Sequence, residues 1–83
     1  MKLEIVFGSI LRERRLELNL SQTDLSELSK LDRTFISLVE RGVRQPTLRS
    51  LFQLASALGL DPSEMLKLVE KNLRRTRWKR LNP

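Results

Sequence analysis

The chain is 83 residues long, carries a formal net charge of +6, and contains neither cysteine nor histidine. That length supports one domain. The missing residue types remove disulfides and thiolate metal sites, and with them the usual ligands and bases of zinc, haem and triad chemistry. No run of ~18 apolar residues and no signal-peptide core occurs, so a cytoplasmic protein without a membrane partner is expected.

Hydrophobic residues make up 40% of the chain, chiefly Leu, with three Phe and one Trp, a composition that suits packed helices better than strands. The charge is unevenly spread. Residues 1–73 hold 11 basic and 10 acidic side chains, net +1, while Arg74, Arg75, Arg77, Lys79 and Arg80 give the tail +5. The division expected is a folded domain over 1–73 and a basic tail over 74–83. Because bulk basicity is mostly a tail property, a nucleic-acid partner has to be argued from the residues in between.

Apolar spacing predicts five helices joined by short turns. The first covers about Leu3 to Leu18, with Leu3, Phe7, Ile10, Leu11 and Leu18 at helical intervals. Gly8 costs it ~1 kcal/mol relative to Ala, which suggests a close packing contact. Asn19 suits a left-handed C-terminal position. Ser21-Gln22-Thr23-Asp24 fits a capping box opening the second helix, with Leu25 and Leu28 expected inward. Asp32 caps the third, where Ile36 and Val39 are expected inside and Gly42 ends the helix. The fourth starts at Thr47 and is expected to bury Leu48, Leu51, Phe52, Leu54, Ala55 and Leu58 before Gly59. The fifth opens at Asp61-Pro62-Ser63-Glu64 and continues through Met65, Leu66, Val69 and Leu73.

The informative stretch is Leu20 to Leu58. Two helices of about eight residues are joined by a tight turn near Lys30–Leu31, the helix-turn-helix arrangement. Its second helix can enter a major groove about 12 Å wide while the first crosses the backbone. This stretch resembles the Cro/cI-type helix-turn-helix family of phage repressors and bacterial regulators, the XRE family. The matching residues are Leu20-Ser21-Gln22, Leu25, Ile36, Glu40-Arg41-Gly42, Pro46-Thr47-Leu48 and Leu54-Ala55 with Ala57-Leu58-Gly59, together with Arg12 and Arg15. Within it, Leu31 to Ser37 is most similar to the controller proteins of restriction–modification systems, small dimeric regulators of symmetric operators. The resemblance implies an all-α, five-helix, lambda-repressor-like DNA-binding domain. The chain departs from the wider family at Lys30, where Gly is usual in the turn.

If Ile36 and Val39 face inward, then Arg33, Thr34, Ser37 and Leu38 form the outer face of the third helix. They are the candidate base readers. Arg33 can fork onto guanine O6 and N7, and Leu38 can touch a thymine methyl. An ordinary solvated helix face is the competing reading, and the surrounding family pattern favours DNA. Asp32 is read as a cap. The resemblance gives Gln22 a phosphate contact, and Arg41, Arg44, Thr47 and Arg49 are expected to grip phosphates without reading sequence. Ordinary surface charge explains Arg49 equally well. Arg15 and Glu40 correspond to a family ion pair with a structural role. Phe35 is read as core or half-core.

Met65, Leu68 and Val69 are the candidate dimer interface, which would set two third helices about 34 Å apart on a palindrome. Internal packing of all three is the alternative. The tail can add phosphate contacts or serve as a solubilising end, and Trp78 can fold back or stay exposed; both questions stay open here. The function expected is a dimeric transcriptional regulator on a palindromic double-stranded operator, associated with a bacterial or phage nucleoid. The alternatives are an antitoxin that also binds a toxin, and a basic RNA-binding or architectural protein. No paired acids, activated nucleophile or Gly-rich phosphate loop points to an enzyme. No cofactor, metal or small-molecule ligand is expected.

Overall fold

The computed structural model describes residues 3–74. Five helices follow in order: α1 (Leu3–Glu17), α2 (Gln22–Ser29), α3 (Arg33–Glu40), α4 (Leu48–Ala57) and α5 (Pro62–Arg74). The described residues contain no strand. The expected tail after position 74, including Trp78, lies outside the described residues.

From α2 to α5, each helix begins where a side chain satisfies free backbone donors. The Ser21 hydroxyl accepts from the Asp24 N–H at 2.9 Å, and the Asp24 carboxylate accepts from the Ser21 N–H at 2.9 Å. That reciprocal bonding, the Ser21 backbone donor above all, holds the Asp24 carboxyl below its ordinary pKa. Asp32 accepts from the Thr34 N–H at 2.9 Å and the Phe35 N–H at 3.3 Å. Thr47 accepts from the Ser50 N–H at 3.0 Å. At the start of α5 the Asp61 N–H donates to Glu64 at 2.8 Å.

The turn between α2 and α3 takes the backbone shape that glycine favours, without a glycine. Lys30 sits at φ 65°, ψ 25°, and its N–H donates to the Ser26 carbonyl. A left-handed conformation costs a residue with a Cβ about 1–2 kcal/mol. The surroundings hold it there. Ser26 donates its hydroxyl to the Leu31 carbonyl, and Gln53 of α4 reaches back to the Ser29 carbonyl at 3.0 Å. Asn19 is the other non-glycine at positive φ among the described residues, at 58°.

One core is formed from all five helices, with Leu11, Leu25, Ile36, Val39, Leu54, Leu58 and Met65 fully enclosed. α1 packs on α3 and α5, α2 on α3 and α4, and α4 on α5. Several expected core positions point outward instead. Leu28 is 57% exposed, Leu48 73% and Phe52 54%, and Leu66 of α5 is also 48% exposed. The helical repeat explains this: α4 buries Leu51, Leu54, Ala55 and Leu58, and α2 buries Leu25 and Ser29, so intervening residues lie round the helix from the core. The expected dimer contacts Met65 and Val69 are corrected by the same geometry. With Leu73 they form a stripe of three residues, spaced four apart on α5, that faces the core; of the three expected contacts Leu68 alone is exposed.

Two features fix α3 against α1. A Cβ built on Gly8 would lie 2.3 Å from the Val39 carbonyl oxygen and 2.7 Å from that of Glu40, so only a glycine admits this approach. Beside it, Arg15 forks onto Glu40, with Nε–Oε2 at 2.6 Å and Nη2–Oε1 at 2.9 Å. Both side chains are nearly enclosed, at 9% and 3% exposure. Arg15 also donates to the Leu20 carbonyl at 2.8 Å, tying the α1–α2 connection to the same guanidinium. Hydrogen bonding to Glu40 raises the Arg15 pKa further above its ordinary value, against the opposing effect of burial.

Glu40→Gln keeps the shape of the side chain but leaves the Arg15 charge uncompensated. We expect a loss of about 3–5 kcal/mol in a denaturant titration. A loss under about 1 kcal/mol would place the pair with exposed salt bridges instead. Gly8→Ala gains ~1 kcal/mol of helix propensity yet drives a methyl into two backbone carbonyls. Thermal melting of that variant should show net destabilisation of about 1–3 kcal/mol; a higher melting temperature would contradict the close approach.

Candidate nucleic-acid interface

The inner edge of α3 is spent on the core, where Ile36 and Val39 are completely buried. Arg33 and Thr34 therefore stand exposed on its first turn, while Ser37 and Leu38 are half-buried further along. The Asp32 carboxylate is occupied by the two backbone donors of its cap. Among the described residues Arg33 has no ion-pair or side-chain hydrogen-bond partner. An unpartnered guanidinium on a rigid helix start is suited to a pair of acceptors on a base edge.

A second group of expected residues meets at the other end of α3. Gln22, Ser37 and Arg41 line one open notch of about 290 Å³, together with Arg12, Arg15 and Glu40. Gln22 is half-buried and donates to Glu40 Oε1 at 3.1 Å, so it is engaged within the protein. Its attachment to the Arg15–Glu40 pair fixes the start of α2 relative to the end of α3. Arg12, on the exposed side of α1, was not among the expected contacts. The available signal was its spacing: it precedes Arg15 by one helical turn.

The α3–α4 loop supplies a third group. The Arg44 guanidinium lies 5.5 Å from the centroid of the Phe35 ring, a cation–π arrangement that holds it over the side of α3. Phe35 itself is half-buried and packs against the core. Gly42 makes the bend possible, with φ at +76° and the Ile5 side chain 2.8 Å from where a Cβ would stand. Thr47 is exposed, but its hydroxyl is committed to capping α4. Arg49 is exposed on the first turn of α4, apart from the notch and from Phe35.

No group of three acidic, His or Cys side chains that could hold a metal ion occurs among the described residues. No helix among them is long and apolar enough to cross a membrane.

Comparisons with known proteins agree with this geometry. A helix-turn-helix family model matches residues 11–65. Control protein C.BamHI of Bacillus amyloliquefaciens is 37% identical over 65 residues, spanning 77% of this chain and 80% of the relative. The crystal structure of the restriction–modification controller protein C.AhdI from Aeromonas hydrophila superposes with a TM-score of 0.72 at 44% identity, over 75% of this chain and 94% of that one. The controller C.Esp1396I, crystallised as a tetramer in complex with its natural 35-base-pair operator, superposes with a TM-score of 0.78 at 31% identity, over 86% of this chain and 93% of that one. With the capped α2–turn–α3 unit, its outward α3 face and these likenesses together, the chain belongs to the Cro/cI-type (XRE) helix-turn-helix family of DNA-binding transcriptional regulators, among whose members are the control proteins of restriction–modification systems.

Proposed function

We propose that this protein is a sequence-specific regulator that binds a palindromic operator as a homodimer, without catalytic activity. The observation that carries the reading is the division of α3 into a buried inner edge and an outer edge led by the unpartnered Arg33. In this reading α3 lies in the major groove. Arg33, Thr34, Ser37 and Leu38 face base edges, with Arg33 forked onto a guanine. Gln22, Arg41, Arg44, Thr47 and Arg49 face the sugar–phosphate backbone and set register. The stacking of Arg44 on Phe35 supports its part, because a pre-oriented guanidinium loses less freedom when a phosphate arrives.

The proposed dimer face shares Val69 with the expected one and takes in the starts of α1 and α4 in place of Met65 and Leu68. An apolar groove of about 240 Å³ runs between the α1 start, the α4 start and α5, with Leu3, Leu48, Leu51 and Leu66 in its walls. Leu48 and Leu66 stand largely exposed at its rim, an arrangement that a twofold-related copy can cover with its own identical face. The relative C.Esp1396I assembles on its operator as a tetramer, which supports association of copies on DNA.

Selection of bound duplexes from a random library is expected to return a palindrome. Arg33→Ala should cost at least about 1 kcal/mol on that site and relax preference at one base position of each half-site. Unchanged affinity and preference would remove Arg33 from base reading. Leu48→Glu should leave the helical content intact and shift sedimentation to a single chain. A variant that still sediments as a dimer would move the interface elsewhere.

A further inference from the structure

We infer that the notch between α1, α2 and the end of α3 is a binding site for one backbone phosphodiester, and that Arg12 supplies its outer charge. This rests on the DNA-binding reading and adds a contact from α1 to it. Arg12 of α1, Gln22 of α2, Ser37 of α3 and Arg41 at the α3 C-cap converge on one open notch of about 290 Å³. Its floor is the Arg15–Glu40 pair. The Glu40 charge is already answered there, with Oε2 taken by Arg15 and Oε1 shared by Arg15 and Gln22.

The remaining charge of the notch is therefore that of Arg12 and Arg41. Both are exposed, and among the described residues neither side chain has an ion-pair or hydrogen-bond partner. Two like charges bordering one concavity raise its positive potential, and an anion between them removes their mutual repulsion. The donors on offer are the two guanidinium forks, which match the oxygens of a phosphodiester. A carboxylate-bearing partner would meet the same donors. A duplex is favoured because Ser37 lies on α3 and Arg41 is its C-cap residue, so a strand bordering the groove that holds α3 runs past this notch. Arg12 then acts as a positioning residue: it ties α1 to the strand and limits how far α3 can tilt.

The test is the salt dependence of binding by the full chain, read on the selected operator and on an unrelated duplex. Loss of one phosphate contact lowers the slope of log K against log salt by about 0.9, which is about threefold less affinity lost between about 50 and 200 mM salt. Arg12→Gln should show that smaller slope on both duplexes, with the operator-to-unrelated ratio and the melting temperature unchanged. Arg12→Lys, which keeps the charge, should restore the slope. An unchanged slope in Arg12→Gln overturns the inference, as does a loss confined to the operator. A wild-type chain that binds duplexes without preferring any sequence would sink the operator reading, while the slope on the unrelated duplex still judges the notch.

Discussion

Much of this molecule depends on one buried ion pair. The Arg15 guanidinium reaches from α1 to Glu40 at the end of α3, and its third nitrogen holds the Leu20 carbonyl at the start of the helix-turn-helix. Gln22 adds the beginning of α2 to the same carboxylate. Three helices are thus tied at one point where side chains have little water to compensate them. An isolated charge there would be very costly, so the fork-to-fork geometry is the arrangement that lets both ions stay inside.

That pair acts together with an absence of bulk. Gly8 lets the α1 backbone approach the last carbonyls of α3 more closely than any side chain permits. The approach places Glu40 within reach of Arg15, and the pair then keeps α3 from sliding along α1. The outer edge of α3 inherits this rigidity. A recognition surface needs such support, because base-edge hydrogen bonds tolerate little displacement. Asp32 contributes in its own way by spending its carboxylate on the cap, so that Arg33 is not held down by its neighbour.

The elements themselves were largely legible from residue order. Ser21 with Asp24, and Asp32, cap helices in the places their chemistry suggested, because capping is decided within four residues of chain, and Thr47, expected at the α4 start, is its cap. Lys30 is instructive in the other direction. Its side chain argues against a left-handed turn, and tertiary bonds from Ser26 and Gln53 impose one. The apolar faces were read less well. Leu48, Phe52 and Leu66 sit within apolar runs yet face outward, and Met65 and Val69, expected at a surface, fill the core.

Local order along the chain thus determined where helices start and stop, which edge of α3 is apolar, and the likeness to a DNA-binding family. These follow from interactions between residues a few positions apart. The family likeness already pointed to Arg15 with Glu40; what belonged to the tertiary structure was the enclosure of that pair and the meeting of other distant groups, Arg44 over Phe35 and Arg12 beside Gln22, Ser37 and Arg41. An amphipathic run says that one side of a helix is to be covered. How wide that cover is, and which leucines fall beyond it, depends on the angles at which five helices pack, and those are set by contacts that no short stretch of sequence contains.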